Sequence, residues 1–147
     1  MKKTLLLAGT LLLMGLVYQT PVSAQETTAR KKQTIDAKSI SQPSPEADKL
    51  KRPENDKNPK PETKNRGDVY GSNYSDVVID NYTGYSLDIY VGGSYRGSVA
   101  AYDKRVTWAV PGNNTLYAKA VFNDGSYIYW GPSTVYTGYV YTWKLTH

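Results

Sequence analysis

The aromatic residues of this chain are confined almost entirely to its carboxy-terminal half. Thirteen of the fourteen Tyr, all three Trp and the only Phe lie at or after Tyr70, whereas residues 25–69 contain none. Aromatic side chains bury on the order of 150–250 Å² each, and a segment without them has little apolar surface to offset the entropy lost on folding. The distribution therefore predicts one compact module over residues 73–147 that follows an unfolded linker over residues 25–72.

The predicted linker is rich in Lys, Glu, Pro, Ser, Asn and Thr. Low hydrophobicity with mixed charge is typical of disordered segments, and the prolines favour extended conformations. Within it, Arg66-Gly67-Asp68 matches the adhesion tripeptide read by animal integrins. Three residues match by chance often, and a glycine is what a linker uses in any case. We therefore assign this tripeptide no role.

The amino terminus has the organisation of a secretory signal peptide. Lys2 and Lys3 precede an apolar run over residues 5–18, and Val22-Ser23-Ala24 places small residues where a signal peptidase cleaves. The alternative is a membrane anchor, but the run is shorter than the roughly 20 apolar residues that a spanning helix needs. We expect a signal peptide over residues 1–24, Sec-type export to the periplasm, cell surface or medium, and no membrane span after cleavage.

The charge of the chain is not carried by the predicted module. The formal net charge is +5, yet residues 73–147 contain five Lys or Arg and five Asp. A nucleic-acid partner requires an excess of basic residues on the folded part. We therefore expect no nucleic-acid binding.

The residues needed for the common catalytic and metal sites are missing. The chain has no Cys, so disulfides, thiolate metal sites and a cysteine nucleophile are excluded, and its one His is the final residue, His147. Triad catalysis needs a positioned base, and a glycosidase needs two acids facing one cleft. We expect a protein without enzymatic activity, catalytic residues, bound metal or cofactor.

Seven short apolar stretches separated by turn residues predict a small antiparallel β-sandwich of about six to seven strands. Gly92-Gly93 and Asn123-Asp124-Gly125 are hairpin signals, Gly131-Pro132 is expected to end a strand, and Gly138 to bend one. The strands are expected over residues 76–80, 85–91, 95–99, 105–110, 115–122, 126–130 and 135–145.

Alternation of side chains along each strand assigns an inner and an outer face. The residues expected in the core are Tyr85, Leu87, Ile89, Val91, Val106, Trp108, Val110, Leu116, Ala118, Ala120, Phe122, Tyr139, Tyr141, Trp143 and Leu145. With Ile128 and Trp130 also inward, several tyrosines remain on the outer face.

Those outer tyrosines are the candidate binding residues. A Tyr side chain presents a flat apolar face and a polar tip, which suits contact with a sugar ring or a protein. Tyr is also a good strand former, so a purely structural role is the competing interpretation. The candidate set is Tyr90, Tyr117, Tyr127 and Tyr129, with Asp88, Arg96 and Lys119 as polar neighbours.

Residues 89–99, with an apolar strand, a Gly hairpin and a short strand that ends in Gly, resemble the PEGA family of small surface-associated β domains. Residues 110–117 are similar to the Pro-Gly turn and following strand of that family, and the resemblance covers roughly residues 76–121. It implies a non-catalytic envelope or surface module. Two functions stay open: a structural or protein-interaction domain of the bacterial envelope, and binding of a surface glycan or envelope polymer.

Overall fold

A computed structural model describes residues 30–55, 70–71 and 73–147. The predicted signal peptide and the Arg66-Gly67-Asp68 tripeptide lie outside these residues. No helix in the described part of the chain is long and apolar enough to cross a membrane.

The described residues form two four-stranded sheets packed face to face, which confirms the predicted all-β sandwich. The first sheet has the order β1-β8-β2-β5 and the second has the order β4-β3-β6-β7. The elements are β1 (Lys31–Lys38), α1 (Pro45–Lys49), β2 (Ser75–Asn81), β3 (Leu87–Val91), β4 (Ser94–Val99), β5 (Lys104–Ala109), β6 (Asn113–Val121), β7 (Tyr127–Tyr136) and β8 (Tyr139–Thr146).

The core between the sheets is built from large side chains on alternating positions. Trp130 of β7 and Trp143 of β8 are completely buried, as is Leu116 of β6. Burying a side chain of this size stabilises the fold by about 1.5–3 kcal/mol or more before entropy is counted. Most of the predicted core is confirmed; the correct assignments are Leu87, Ile89, Val91, Leu116, Ala118, Ala120, Tyr141, Trp143 and Leu145.

Part of the predicted linker is folded, so the prediction of disorder over residues 25–72 is wrong for residues 30–55. Strand β1 pairs in parallel with β8, from Lys31 opposite Tyr139 to Lys38 opposite Thr146. Its side chains are mostly exposed, and only Ala37 is buried. The strand is held mainly by backbone hydrogen bonds to the neighbouring strand β8 and needs few apolar side chains. Its sequence therefore lacks the apolar alternation from which strands were predicted. The linker residues 25–29, 56–69 and 72 lie outside the described part.

Strand β8 makes the first sheet mixed rather than antiparallel. It runs parallel to both β1 and β2, whereas β2 and β5 are antiparallel and the second sheet is antiparallel throughout. The chain passes from β7 in the second sheet to β8 in the first through Thr137 and Gly138, so β7 and β8 do not form a hairpin.

Gly131-Pro132 does not end a strand as predicted. Strand β7 continues to Tyr136, and a register shift against β6 between Leu116 and Ala118 absorbs the irregularity. Gly131 has a φ of 110°, and a Cβ atom there would clash with the carbonyl oxygen of Leu116. The glycine therefore permits a bulge, where the backbones approach closely.

The faces of β5 were assigned the wrong way round. Thr107 lies opposite the core residue Val77, so Val106 and Trp108 are on the outer face, and Val106 is only half-buried. Trp108 is nevertheless buried, and its ring centroid is 5.1 Å from that of Tyr70. Apolar residues occupy both faces of this strand, so alternation alone was misleading.

Four other predicted core residues lie nearer the surface. Val110 follows the end of β5 and is exposed, as is Tyr85, which precedes β3. Phe122 lies beyond the end of β6 and is half-buried, and Tyr139 at the start of β8 is also half-buried. Residues at or beyond a strand end lie where the two sheets no longer cover each other.

Candidate functional site

The outer face of the second sheet, where the sequence predicted exposed tyrosines, is covered by another segment of the chain. We call residues 40–52, which follow β1, the strap. Ile40 exchanges two backbone hydrogen bonds with Tyr129 of β7, of 2.7 and 3.0 Å. Further along the strap, Leu50 packs against Tyr90, Tyr95 and Tyr117. The strap therefore crosses the outer face of the second sheet.

The predicted tyrosines point outward as expected, but their expected exposure is wrong for two of the four. Tyr90 is 1% exposed and Tyr129 is 8% exposed, whereas Tyr117 and Tyr127 are half-buried. The rings of Tyr117 and Tyr129 are neighbours, with centroids 6.2 Å apart. These tyrosines support the docked strap rather than forming a free platform.

Lys119 of β6 fastens the strap through its ammonium group. Its Nζ donates hydrogen bonds to the carbonyl oxygens of Ala47, at 2.9 Å, and Leu50, at 3.4 Å, and lies 4.0 Å from the ring centroid of Tyr127. These carbonyls stand at the end of the short helix α1, where cations are favoured. Burial lowers the pKa of Lys119.

The hydroxyl of Tyr127 makes a second connection to the strap. It donates to Oδ1 of Asp48 at 2.6 Å and accepts from the backbone N–H of Ser44 at 3.2 Å. The hydrogen bond to Asp48 raises the pKa of Tyr127. Both ends of α1 are thus tied to the second sheet.

Asp88 of β3 is engaged by the end of the strap. The guanidinium of Arg52 donates from Nη2 to Oδ1 and from Nε to Oδ2, the latter at 3.2 Å. Ser98 also donates to Oδ1 at 2.6 Å. The hydrogen bond to Asp88 raises the pKa of Arg52. The carboxylate of Asp88 is therefore already occupied by partners within the chain.

Arg96 is not assembled with the other predicted polar residues. Its guanidinium carbon lies 4.7 Å from the ring centroid of Trp108. Arg96 is on β4 of the second sheet and Trp108 is on β5 of the first. Burial lowers the pKa of Arg96. The candidate set therefore divides into six residues beneath or beside the strap and one elsewhere.

A groove of about 520 Å³ lies between the strap and the second sheet, and we call it the strap groove. Its lining residues are Asp48, Leu50, Lys51, Arg52, Ser86, Asp88, Tyr90, Lys119 and Val121. Burial, followed by the charge of Asp88, raises the pKa of Tyr90 to about 12, so its hydroxyl stays protonated at neutral pH. No hydrogen bond joins this hydroxyl to another residue of the described part.

Three of the four exposed tyrosines of the described residues lie at one end of the sandwich, and they were not among the predicted site residues. Tyr82 and Tyr85 are on the loop between β2 and β3, and Tyr102 is on the loop between β4 and β5. We call these three residues the loop-end patch. The signal available in the sequence was the presence of aromatic residues inside turn segments such as Asn81-Tyr82-Thr83-Gly84.

Buried hydrogen bonds hold the two loops of the loop-end patch together. Nδ2 of Asn81 donates to the carbonyl oxygens of Tyr85 and Ala100, both at 2.8 Å. Its Oδ1 accepts from the backbone N–H and the hydroxyl of Thr83, at 2.9 and 2.7 Å. The backbone N–H of Tyr102 donates to the carbonyl oxygen of Thr83 at 3.1 Å. One buried amide thus positions both loops.

Tyr102 is the residue of the loop-end patch that stands furthest into solvent. It is 76% exposed, and its φ of 56° is the only positive value at a non-glycine residue of the described ranges. A bulky residue in this conformation costs about 1–3 kcal/mol, and such strain is often found at functional sites. The side chain lies against Gly84, where an added Cβ would be 3.3 Å from the Tyr102 hydroxyl.

The other two tyrosines of the loop-end patch are anchored by neighbours. The Tyr82 hydroxyl donates to Oδ2 of Asp80 at 2.9 Å, and the same oxygen lies 3.0 Å from Nζ of Lys104. The Tyr85 ring packs at a steep angle on Phe122, with centroids 5.4 Å apart. The patch therefore combines apolar rings with a neutralised pair of charges at its rim.

The part of the chain that the structure describes contains no group of three or more acidic or His side chains arranged to hold a metal ion.

Comparison of the chain with models of known families, with curated proteins and with solved structures finds no significant match.

Proposed function

We propose that this chain is a non-catalytic binding module exported to the bacterial cell envelope, where it contacts a partner protein through the loop-end patch. The observation that carries the proposal is the exposure of Tyr82, Tyr85 and Tyr102 on two loops tied together by a buried amide. Tyrosines on rigid loops provide a large amphipathic contact area at little cost in side-chain entropy, as in antibody paratopes. The proposed export rests on the amino-terminal signal sequence.

A surface glycan is the second candidate partner, because an exposed Tyr ring such as that of Tyr102 also suits contact with a sugar. The packing of Tyr85 favours a protein instead. Its ring meets Phe122 and His147 at interplanar angles of 79° and 81°, so intramolecular contacts occupy much of its surface. A row of open ring faces, which a glycan chain needs, is therefore not formed by these three residues.

The test compares the exported chain with the double variant Tyr82→Ser/Tyr102→Ser in crosslinking and affinity capture from envelope extracts, followed by binding measurements with each captured protein. The matched control is Tyr136→Ser on β7, because Tyr136 and Tyr82 are each 49% exposed. The few residues that dominate the binding energy of an interface are enriched in Tyr and contribute about 2 kcal/mol or more each. We expect the double variant to bind about tenfold more weakly or worse, and the control to bind as the wild type does.

Two results would contradict the proposal. A captured protein that binds the double variant as tightly as the wild type would show that the loop-end patch is not the contact surface. Binding to a glycan array that the double variant loses, without a captured protein, would establish the second candidate instead.

A further inference from the structure

The strap groove has the size and composition of a small-molecule site. Its volume of about 520 Å³ lies within the range of roughly 300–1,000 Å³ that is typical of ligand pockets. It is on the outer face of the second sheet, and none of the three residues of the loop-end patch lines it. An inference about it is therefore independent of the proposed function.

Among the polar groups that line the strap groove, the Tyr90 hydroxyl is one of three donors, with the Ser86 hydroxyl and the Lys51 ammonium, that bond to no other described residue. Tyr90 as a whole is 1% exposed, so of these three donors its hydroxyl is the one on the floor of the groove. By contrast, Asp88 accepts from Arg52 and Ser98, and Lys119 donates to two carbonyls. A phenolic hydroxyl can donate one hydrogen bond, and that of Tyr90 is not used within the described residues, so it is available to an acceptor placed in the groove.

The charges along the groove favour an anion. Arg52 neutralises Asp88, and the remaining acid, Asp48, stands against two lysines, Lys51 and Lys119. Lys51 is exposed and forms no ion pair within the described residues. One positive charge at the groove is thus left without a partner.

The groove also has apolar lining. Val121 at the end of β6 is 59% exposed, and Leu50 of the strap lies over Tyr90. Exposed Val121 offers a surface for an alkyl group beside the polar floor. A ligand that contacts both the polar and the apolar residues of the groove therefore combines one negatively charged acceptor with a small apolar substituent.

We propose that the strap groove binds the carboxy-terminal end of a short peptide whose last residues are small and apolar. The carboxylate accepts a hydrogen bond from the Tyr90 hydroxyl and pairs with Lys51, while the last side chain contacts Val121. The strap supplies one wall of the groove, so the site exists only when the strap is docked.

The probe for this site is N-acetyl-alanyl-alanine, titrated into the mature chain and followed by two-dimensional NMR. We expect saturable shifts at residues of the groove with a dissociation constant of about 1 mM, as fits so small a ligand. The same dipeptide with a carboxy-terminal amide, which lacks the negative charge, should bind about tenfold more weakly or worse.

Two variants test the assigned contacts. Tyr90→Phe keeps the ring under Leu50 and removes only the hydroxyl, and it should weaken binding of the acid about fivefold or more. Lys51→Gln, at an exposed position, should weaken it by a similar factor and reduce its dependence on salt. Tyr136→Phe is the control for loss of a hydroxyl elsewhere and should bind as the wild type does.

The proposal is overturned by equal binding of the acid and the amide, by unchanged binding to both variants, or by absence of shifts at about 20 mM probe. The Tyr82→Ser/Tyr102→Ser variant should bind the dipeptide normally. Failure of the groove proposal and failure of the loop-end proposal therefore give different results.

Discussion

Tyr90 and Tyr102 both lie outside the core between the sheets, yet they differ completely in exposure. Tyr90 is 1% exposed because Leu50 of the strap covers it, whereas Tyr102 stands on a loop and is 76% exposed. Strand alternation predicts the direction of a side chain but not what packs over it. This is why the predicted candidates included Tyr90 and Tyr129. Tyr85 was omitted because alternation placed it in the core, and Tyr82 and Tyr102 were omitted because they lie outside the predicted strands.

The buried hydroxyl of Tyr90 should make stability depend on alkaline pH. An unfolded tyrosine loses its proton near pH 10, whereas the pKa of Tyr90 in the folded chain is raised to about 12 by burial. Between these values unfolding releases a proton, so the free energy of unfolding falls as pH rises. Below about pH 10 this contribution to stability is fully present.

The measurement is urea unfolding at a series of pH values from about 9 to about 11.5. Tyr90→Phe should show a smaller fall in the free energy of unfolding than the wild type does. Tyr136→Phe, at an exposed position, should follow the wild type. If both variants show the wild-type slope, Tyr90 is not buried as described.

At the scale of elements, local signals predicted most strands and missed the two elements at the amino-terminal end. Strands β2 to β4 and β6 lie close to their predicted bounds, since their apolar alternation and turn glycines are local. Strand β1 has the sequence Lys31-Lys32-Gln33-Thr34-Ile35-Asp36-Ala37-Lys38, which lacks that alternation. Strand β1 forms by pairing with the edge of β8, which is more than 100 residues away in the chain.

The docking of the strap should depend on the pairing of Arg52 with Asp88. The Arg52 side chain is mostly exposed, but Asp88 is buried and would lose its charged partner in Arg52→Gln. Because solvent screens one side of the pair, we expect the free energy of unfolding to fall by about 1–2 kcal/mol rather than the larger cost of a fully buried pair.

The measurement is the midpoint of urea unfolding for Arg52→Gln. Lys49→Gln, which removes a positive charge from an exposed position of the same strap, is the matched control and should shift the midpoint little. Equal midpoints for the two variants would mean that the ion pair does not hold the strap.

At the scale of the whole molecule, the folding unit begins before the predicted module. Arg30 forms a salt bridge of 2.7 Å with Asp76 of β2, and both side chains are more than nine-tenths buried. At the other end of the same segment, Arg52 pairs with Asp88 of β3. The amino-terminal segment therefore contributes to both sheets of a sandwich that contains no disulfide.

A chain that starts at residue 53 should be markedly less stable than one that starts at residue 25. It loses the burial of Ala37 and Leu50, the ion pair of Arg30 with Asp76 and the ion pair of Arg52 with Asp88. Together these losses are expected to lower the free energy of unfolding by more than about 3 kcal/mol. Thermal and urea unfolding of the two chains measure the difference.

A synthetic peptide of residues 25–55 provides the control for this truncation. Added in excess to the shorter chain, it should raise the unfolding midpoint by mass action, whereas a peptide of scrambled sequence should not. Equal stability of the two chains would show that the amino-terminal segment is not part of the folding unit.

The sequence by itself determined the fold class, most strand positions and most of the core, because the two-residue period and the turn glycines act over short distances. Only the tertiary structure decided that residues 30–55 belong to the fold, that Trp108 faces outward, and which tyrosines reach solvent. The physical reason is that each of these depends on contacts between residues far apart in the chain: a strand added at an edge, a strap over a face, and an amide that joins two loops.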